Sequence, residues 1–169
     1  MCDLNDTHPA KQYCIDRKIP EKHLDKLYFC DKFTEFVNKV KKDTFVTAKE
    51  HPRLIIPFFD ASKKLIAFQG RAFGNENPKY LTIKVNPDAK KIYGLDRINL
   101  QDHIYITEGP IDSLFIDNCI AAGGADLLFE EVPSKQVTYI FDNEPRNLEI
   151  INRMSKVIEQ GFNIVIWSD

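Results

Sequence analysis

Two short stretches of the chain carry the residue types best suited to chemistry. One runs from Ile104 through Glu108, Gly109 and Pro110 to Asp112, and the other from Val137 through Asp142 and Glu144 to Pro145. Each is a β-branched and aromatic run that ends in carboxylates and then meets a proline able to open a helix. If the two runs are neighbouring parallel strands, Glu108, Asp142 and Glu144 gather at one sheet edge. Hard oxygen donors in that arrangement suit Mg²⁺ (or Mn²⁺) held against phosphates, with the ion keeping several waters. Two such ions can activate a hydroxyl and stabilise a leaving oxygen in an in-line displacement. Glu108 could also move a proton if neighbouring carboxylates raise its pKa. Taken singly, either stretch is better explained by helix capping, which also favours Asp, Asn and Glu where a strand turns into a helix. Their occurrence together favours a metal site. Asp112, four residues after Glu108, is open between an outer-shell ligand and a favourable acid in a first helical turn.

The elements that must position these residues fall into two rhythms. In the first half, a helix is expected from about His8-Pro9 to Ile19 with Thr7 as its cap. A second short helix is expected over residues 21–27, and a third after an Asp31 cap with Phe33, Phe36, Val37 and Val40 on one face. From Arg53 the period becomes strand-like. Residues 53–59 and 64–73 form a hairpin about the Asp60 turn, and Lys79 to Val85 is a third strand. After Asn99 strand and helix alternate: strand 103–107, helix 111–118, strand 119–122 closing on Gly123-Gly124, a helical turn at 127–131, strand 136–141, helix 146–160 and strand 162–167. Leu148, Ile151, Met154 and Ile158 are read as the stripe of the long helix, with Gly161 as its stop. That alternation predicts a parallel, helix-covered sheet, with ligands at the carboxyl ends of its strands.

Composition is compatible with a phosphate-handling protein. The chain has 169 residues, is 43% hydrophobic and carries a net charge of −2, enough for one or two small domains. The charge is unevenly spread. Residues 1–91 hold 18 Lys+Arg against 12 Asp+Glu, a net +6, and residues 92–169 hold 5 against 13, a net −8. A basic half beside an acidic half suits a polyanion on one and divalent cations on the other. No apolar run approaches the roughly 18–20 residues of a membrane span, and the N-terminus lacks signal-peptide features, so a cytoplasmic protein with no membrane partner is expected. Cys2, Cys14, Cys30 and Cys119 show no C-x-x-C spacing. No zinc site is expected, and the thiols are read as reduced, partly buried small hydrophobes.

The two acidic stretches resemble the first two motifs of the Toprim domain, with Asp142-x-Glu144 where that family usually has Asp-x-Asp. Upstream, Ile56 to Asp60, Leu65 to Ala72 with Gly70-Arg71, Pro78-Lys79-Tyr80-Leu81 and Ile92-Tyr93-Gly94-Leu95 follow in the order of the basic subdomain of bacterial (DnaG-like) primases. The wording, including His8-Pro9 and Arg17 to Pro20, is most similar to the T-even-like tailed-phage branch. The resemblance covers most of residues 8–169. It implies an α/β fold: a helical and β-hairpin basic subdomain over residues 1–100, then a Rossmann-like parallel-sheet Toprim subdomain over residues 101–169. It implies template-directed synthesis of RNA primers on single-stranded DNA from ribonucleoside triphosphates, with a replicative helicase as partner. Glu108 and Asp142 would be catalytic. Arg71 and Lys79 would hold template or nucleotide phosphates and Tyr80 would stack on a base. It further implies a piece of a longer primase, with a zinc ribbon and a third acidic motif lying outside the chain, Asp169 at most beginning the latter. A Toprim nuclease or topoisomerase, or a non-catalytic DNA-binding or replisome-docking module, are the alternatives.

Overall fold

The computed structural model of the chain describes residues 1–46, 49–122 and 136–168. The chain divides into two compact units, Met1–Lys91 and Ile92–Asp169. The sequence places the divide between 100 and 101. The structure moves it upstream because Ile92 is buried in the core of the second unit, with Leu95 and Ile98 packed against that core.

The first unit holds α1 (Pro9–Asp16), a 3-10 turn (Glu21–Lys26), β1 (Tyr28–Cys30), α2 (Phe33–Val40), β2 (Arg53–Phe59), β3 (Leu65–Ala72) and β4 (Tyr80–Lys84). The strands form an antiparallel sheet in the order β1-β2-β3-β4. The hairpin turn between β2 and β3 forms where the sequence indicates. Asp60 Oδ1 accepts from Ser62 N and Oγ and from Lys64 N, so one carboxylate oxygen replaces the missing ladder bonds. The short edge strand β1 pairs only with Arg53 to Ile55, which leaves Pro57 beyond its reach. β1 itself is not visible in the sequence pattern, since three residues are too few to show a period of two.

Helix caps differ from the sequence expectation. α1 is capped by His8, whose Nδ1 accepts from Ala10 N at 3.1 Å, while Thr7 bonds Asn5 instead. α2 is capped not by Asp31 but by Glu50, whose two carboxylate oxygens accept from Thr34 N and Glu35 N. Phe33 and Val37 of α2 pack on Ile55, Phe68 and Ile83 of the sheet. The fit is close: a Cβ on Gly70 would run into the Phe33 ring. Arg53 is fully buried beneath it, and its guanidinium donates to the carbonyls of Gly70, Pro78 and Lys79 and to His51 Nε2. It thereby ties β2 to β3 and to the turn that leads into β4.

The second unit holds β5 (Ile104–Thr107), a single 3-10 turn (Asp112–Phe115), β6 (Cys119–Ala121), β7 (Val137–Ile140), α3 (Leu148–Glu159) and β8 (Asn163–Ile164). Its sheet is parallel throughout, in the order β6-β5-β7-β8. The helix expected over 111–118 is shortened to one turn. Ile116 is already extended, and Asn118 adopts a positive φ of 51°. The Asn118 side chain bonds the backbone of Asn99 and His103, which turns the chain into β6.

α3 starts later than expected, at Leu148, with Asn147 as its cap; Pro145 precedes the cap rather than opening the helix. Gly161 ends α3 as expected, with φ 82° and paired bonds from Gly161 N to Ile158 O and Phe162 N to Val157 O. The buried stripe of α3 is Ile150 and Val157 with Met154 partly covered. Leu148, Ile151 and Ile158 of the expected stripe are exposed. The last strand is two residues rather than six; Trp167 Nε1 then donates to Phe141 O, so an indole continues where the ladder stops. Cys14 and Cys119 are buried, Cys30 half-buried and Cys2 exposed. Among the described residues no helix is long and apolar enough to cross a membrane. The expected features at Gly123-Gly124, 127–131 and Asp169 lie outside the described residues.

Candidate active site

β5 and β7 are adjacent and parallel, with Thr107 opposite Ile140. From β5 the chain crosses to β6 on one side, while β7 and β8 lie on the other. The strand order therefore reverses between β5 and β7, and the crevice at the carboxyl ends of such a pair is where open α/β sheets bind ligands. Glu108 is the residue directly after β5, and Asp142 is the second residue after β7, with Phe141 between. The sheet brings them together: Glu108 Oε2 accepts a hydrogen bond from the Asp142 backbone amide at 3.1 Å.

The second oxygen of Glu108 is also engaged. Oε1 pairs with Arg153 Nη1, and the two side chains are 18% and 16% exposed. Arg153 comes from the inward face of α3, with its guanidinium carbon 5.7 Å from the Phe141 ring centroid. Its buried Nε has no hydrogen-bond partner among the described residues. Asp142 feels the whole group. Burial of its carboxyl, then the charges of Glu108 and Glu144, push its pKa up, and Arg153 pulls it down.

Glu144 is fixed by the loop that follows β7. Its amide donates to Asp142 O at 2.8 Å, and its Oε2 accepts from Asn147 Nδ2 at 2.7 Å. The same Asn147 caps α3 by accepting from Glu149 N. A small cavity of about 100 Å³ is lined by Asp142, Asn143, Glu144, Met154 and Trp167, among others. Asp112 opens the 3-10 turn, and its carboxylate lies where a Cβ on Gly109 would be. A side chain directly after Glu108 would therefore displace the Asp112 carboxylate. Among the described residues no three His, Cys, Asp or Glu side chains converge as a ready-made metal cage.

The three other sequence-indicated residues sit in the first unit. Lys79 and Tyr80 are exposed, at the start of β4. Arg71 pairs across the ladder with Tyr80 but is only 7% exposed. Its guanidinium carbon lies 4.0 Å from the Tyr13 ring centroid, and Nη1 donates to Ala72 O at 2.6 Å. Arg71 is thus a packed cation rather than an open one. Burial raises the Tyr13 hydroxyl pKa, which Arg71 and Arg17 partly offset.

No protein-family model matches the chain. It is 40% identical, over 97% of its length, to the DNA primase of Enterobacteria phage T4, and spans 48% of that protein. Its fold matches the zinc-binding and RNA polymerase domains of the Aquifex aeolicus primase, with a TM-score of 0.69 over 94% of this chain and 49% of that one, at 21% identity. It also matches a DnaG primase catalytic domain bound to single-stranded DNA, with a TM-score of 0.65 over 90% of this chain and 61% of that one, at 17% identity.

In sequence and in fold, this is a primase-like chain. It spans about half the length of the phage T4 primase and a smaller share of the bacterial primases it matches. The nuclease and topoisomerase alternatives find no support among these relatives.

Within this acidic edge the sequence reading passes over Arg153. One signal was available. Arg153 lies between Ile150 and Val157 at helical spacing, so a cation interrupts the apolar stripe of α3. A charge on a buried face calls for a partner, and the carboxylate after β5 provides it. Arg53 is passed over in the same way, as a strand residue whose charge is spent on carbonyls.

Proposed function

We propose that this chain forms a catalytic core that synthesises short RNA primers on single-stranded DNA by divalent-metal-dependent nucleotidyl transfer. The observation that carries this is the apposition of Glu108 and Asp142 at the switch point of the parallel sheet, in a chain similar to primases over nearly all its length.

The donor types suit a hard divalent cation, although the side chains do not already converge on one point. Three carboxylates lie close enough for Glu108 and Glu144 to raise the pKa of Asp142, and one guanidinium offsets only part of that charge. Glu108, Asp142 and Glu144 would hold Mg²⁺ or Mn²⁺, with Asp112 supporting from the turn after Glu108. Bound there, the metal supplies charge neutralisation for an α-phosphate attacked by a 3′-hydroxyl. The chain's own residues do the rest. The Asp142 amide holds one oxygen of the Glu108 carboxylate, and Asn147 holds Glu144 against the loop. Lys79 and Tyr80 offer an exposed cation and ring for template or nucleotide, and Arg71 supports Tyr80 from the neighbouring strand. Single-stranded DNA, ribonucleoside triphosphates and a replicative helicase are the partners this role requires, in the cytoplasm of the cell that carries out replication.

Incubation with single-stranded DNA, the four ribonucleotides and Mg²⁺ tests the proposal. Short RNA products support it. Cleavage of the DNA would assign a nuclease instead, and binding without either activity would assign a docking module.

A further inference from the structure

We propose that Arg153 is a positioning residue of the acidic edge: a built-in cation that orients Glu108 and competes with the divalent metal for the same negative charge. The inference rests on the proposal that Glu108, Asp142 and Glu144 form a divalent-cation site.

Arg153 is placed by packing. It projects from α3 between the buried Ile150 and Val157, lies against Phe141 and is 16% exposed. Arg and Lys are seldom this buried without a role, because desolvating the charge must be offset by a partner. Here the partner is Glu108, through Nη1, while the buried Nε has no hydrogen-bond acceptor among the described residues. Arg53, which ties strands together, has four acceptors around it. Arg153 instead spends its charge on one carboxylate oxygen and holds one donor in reserve.

The geometry leaves Glu108 held at two points, by the Asp142 amide on Oε2 and by Arg153 on Oε1. Two contacts fix the carboxylate plane where one would let it rotate. The same guanidinium puts a positive charge next to the carboxylates that a metal must approach, and like charges repel. Removal of Arg153 therefore has two opposite effects. Metal binding tightens because a repelling charge is gone, and catalysis weakens because Glu108 is no longer oriented. A residue that served only to stabilise α3 would weaken both.

Trp167 provides the readout. It is the chain's single tryptophan and lines one cavity with Asp142, Asn143 and Glu144, so Tb³⁺ bound at the acidic edge is sensitised by it and displaced by Mg²⁺. With the full chain, Arg153→Met should bind Tb³⁺ roughly 5- to 10-fold more tightly, from loss of one nearby positive charge. Primer synthesis should fall in kcat with the KM for ribonucleotide little changed. Arg153→Lys should keep metal affinity near that of the unaltered chain and recover part of kcat, because the charge stays while the planar fork is lost. Arg153→Gln, neutral but polar at its tip, carries the same expectation as Arg153→Met should the latter fail to fold. Unchanged or weaker Tb³⁺ affinity in the neutral variants would overturn the role of Arg153. Glu108→Gln separates the two levels: if it leaves Tb³⁺ binding of the otherwise unaltered chain intact, the metal-site proposal itself falls.

Discussion

At the residue scale the acidic edge is a problem of unbalanced charge. Asp142 sits beside two other carboxylates, and its pKa is raised by burial and by Glu108 and Glu144. In the metal-free protein the folded state therefore binds the Asp142 proton more tightly than the unfolded chain does. Stability is lost as pH rises from the unfolded carboxylate pKa through the higher folded one, and it stays lower above that window. Asp142→Asn removes the penalty. In EDTA it should raise Tm at pH 7 and lose that advantage once the pH falls below the carboxylate range, as read by thermal melts across pH. A divalent ion relieves the same penalty, so Mg²⁺ should raise the Tm of the unaltered chain and do less for Asp142→Asn. Equal Mg²⁺ shifts in both would argue against Asp142 as a ligand.

At the element scale the site depends on which faces the strands and helices turn inward. β5 and β7 are legible in the sequence because β-branched and aromatic runs ending in acids mark both the strand and its functional end. Their adjacency is not legible there, because alternation alone does not say whether β6 falls between them; the observed order β6-β5-β7-β8 supplies it. The face of α3 is not legible in the same way. Leu148, Ile151, Met154 and Ile158 make as good a stripe by spacing as Ile150, Met154 and Val157, and only packing against Phe141 and Tyr139 decides between them. Arg153 is lost with that choice. The Glu50 cap of α2 is likewise invisible, since it reaches back from about fifteen residues downstream. Gly70 shows how tightly the first unit's elements meet. Gly70→Ala should destabilise that unit by about 1–3 kcal/mol, the usual cost of overpacking, measured by denaturant unfolding. Phe33→Leu in the same chain should recover part of the loss, because the ring that meets the new Cβ is then gone.

At the scale of the whole molecule the sequence already separates a basic half from an acidic half, and the structure sets the divide between Lys91 and Ile92. Net charge by itself says where a polyanion is welcome, not which cations touch it. The first unit's cations are unequal: Arg53 and Arg71 are buried in the fold, whereas Lys79 is exposed. Lys79→Ala should weaken single-stranded DNA binding at low salt and reduce the slope of log K against log salt by about 0.7, one phosphate contact on a single strand. An unaltered slope would remove Lys79 from the interface. Arg71→Ala, by contrast, should first show itself as lost stability, because its guanidinium packs on the Tyr13 ring and holds a buried carbonyl.

The central claim is that Glu108, fixed beside Asp142 at the switch point of the second unit's sheet, belongs to a metal-dependent nucleotidyl-transfer site. Glu108→Gln keeps the shape of the side chain and removes its charge. Primer synthesis and single-stranded DNA binding, measured side by side for the unaltered chain and for this variant in Mg²⁺, test the claim most directly. The account predicts RNA primers from the unaltered chain, at least a roughly 100-fold loss in the variant, and DNA affinity kept by both. Primer synthesis at equal rates by the two would contradict it.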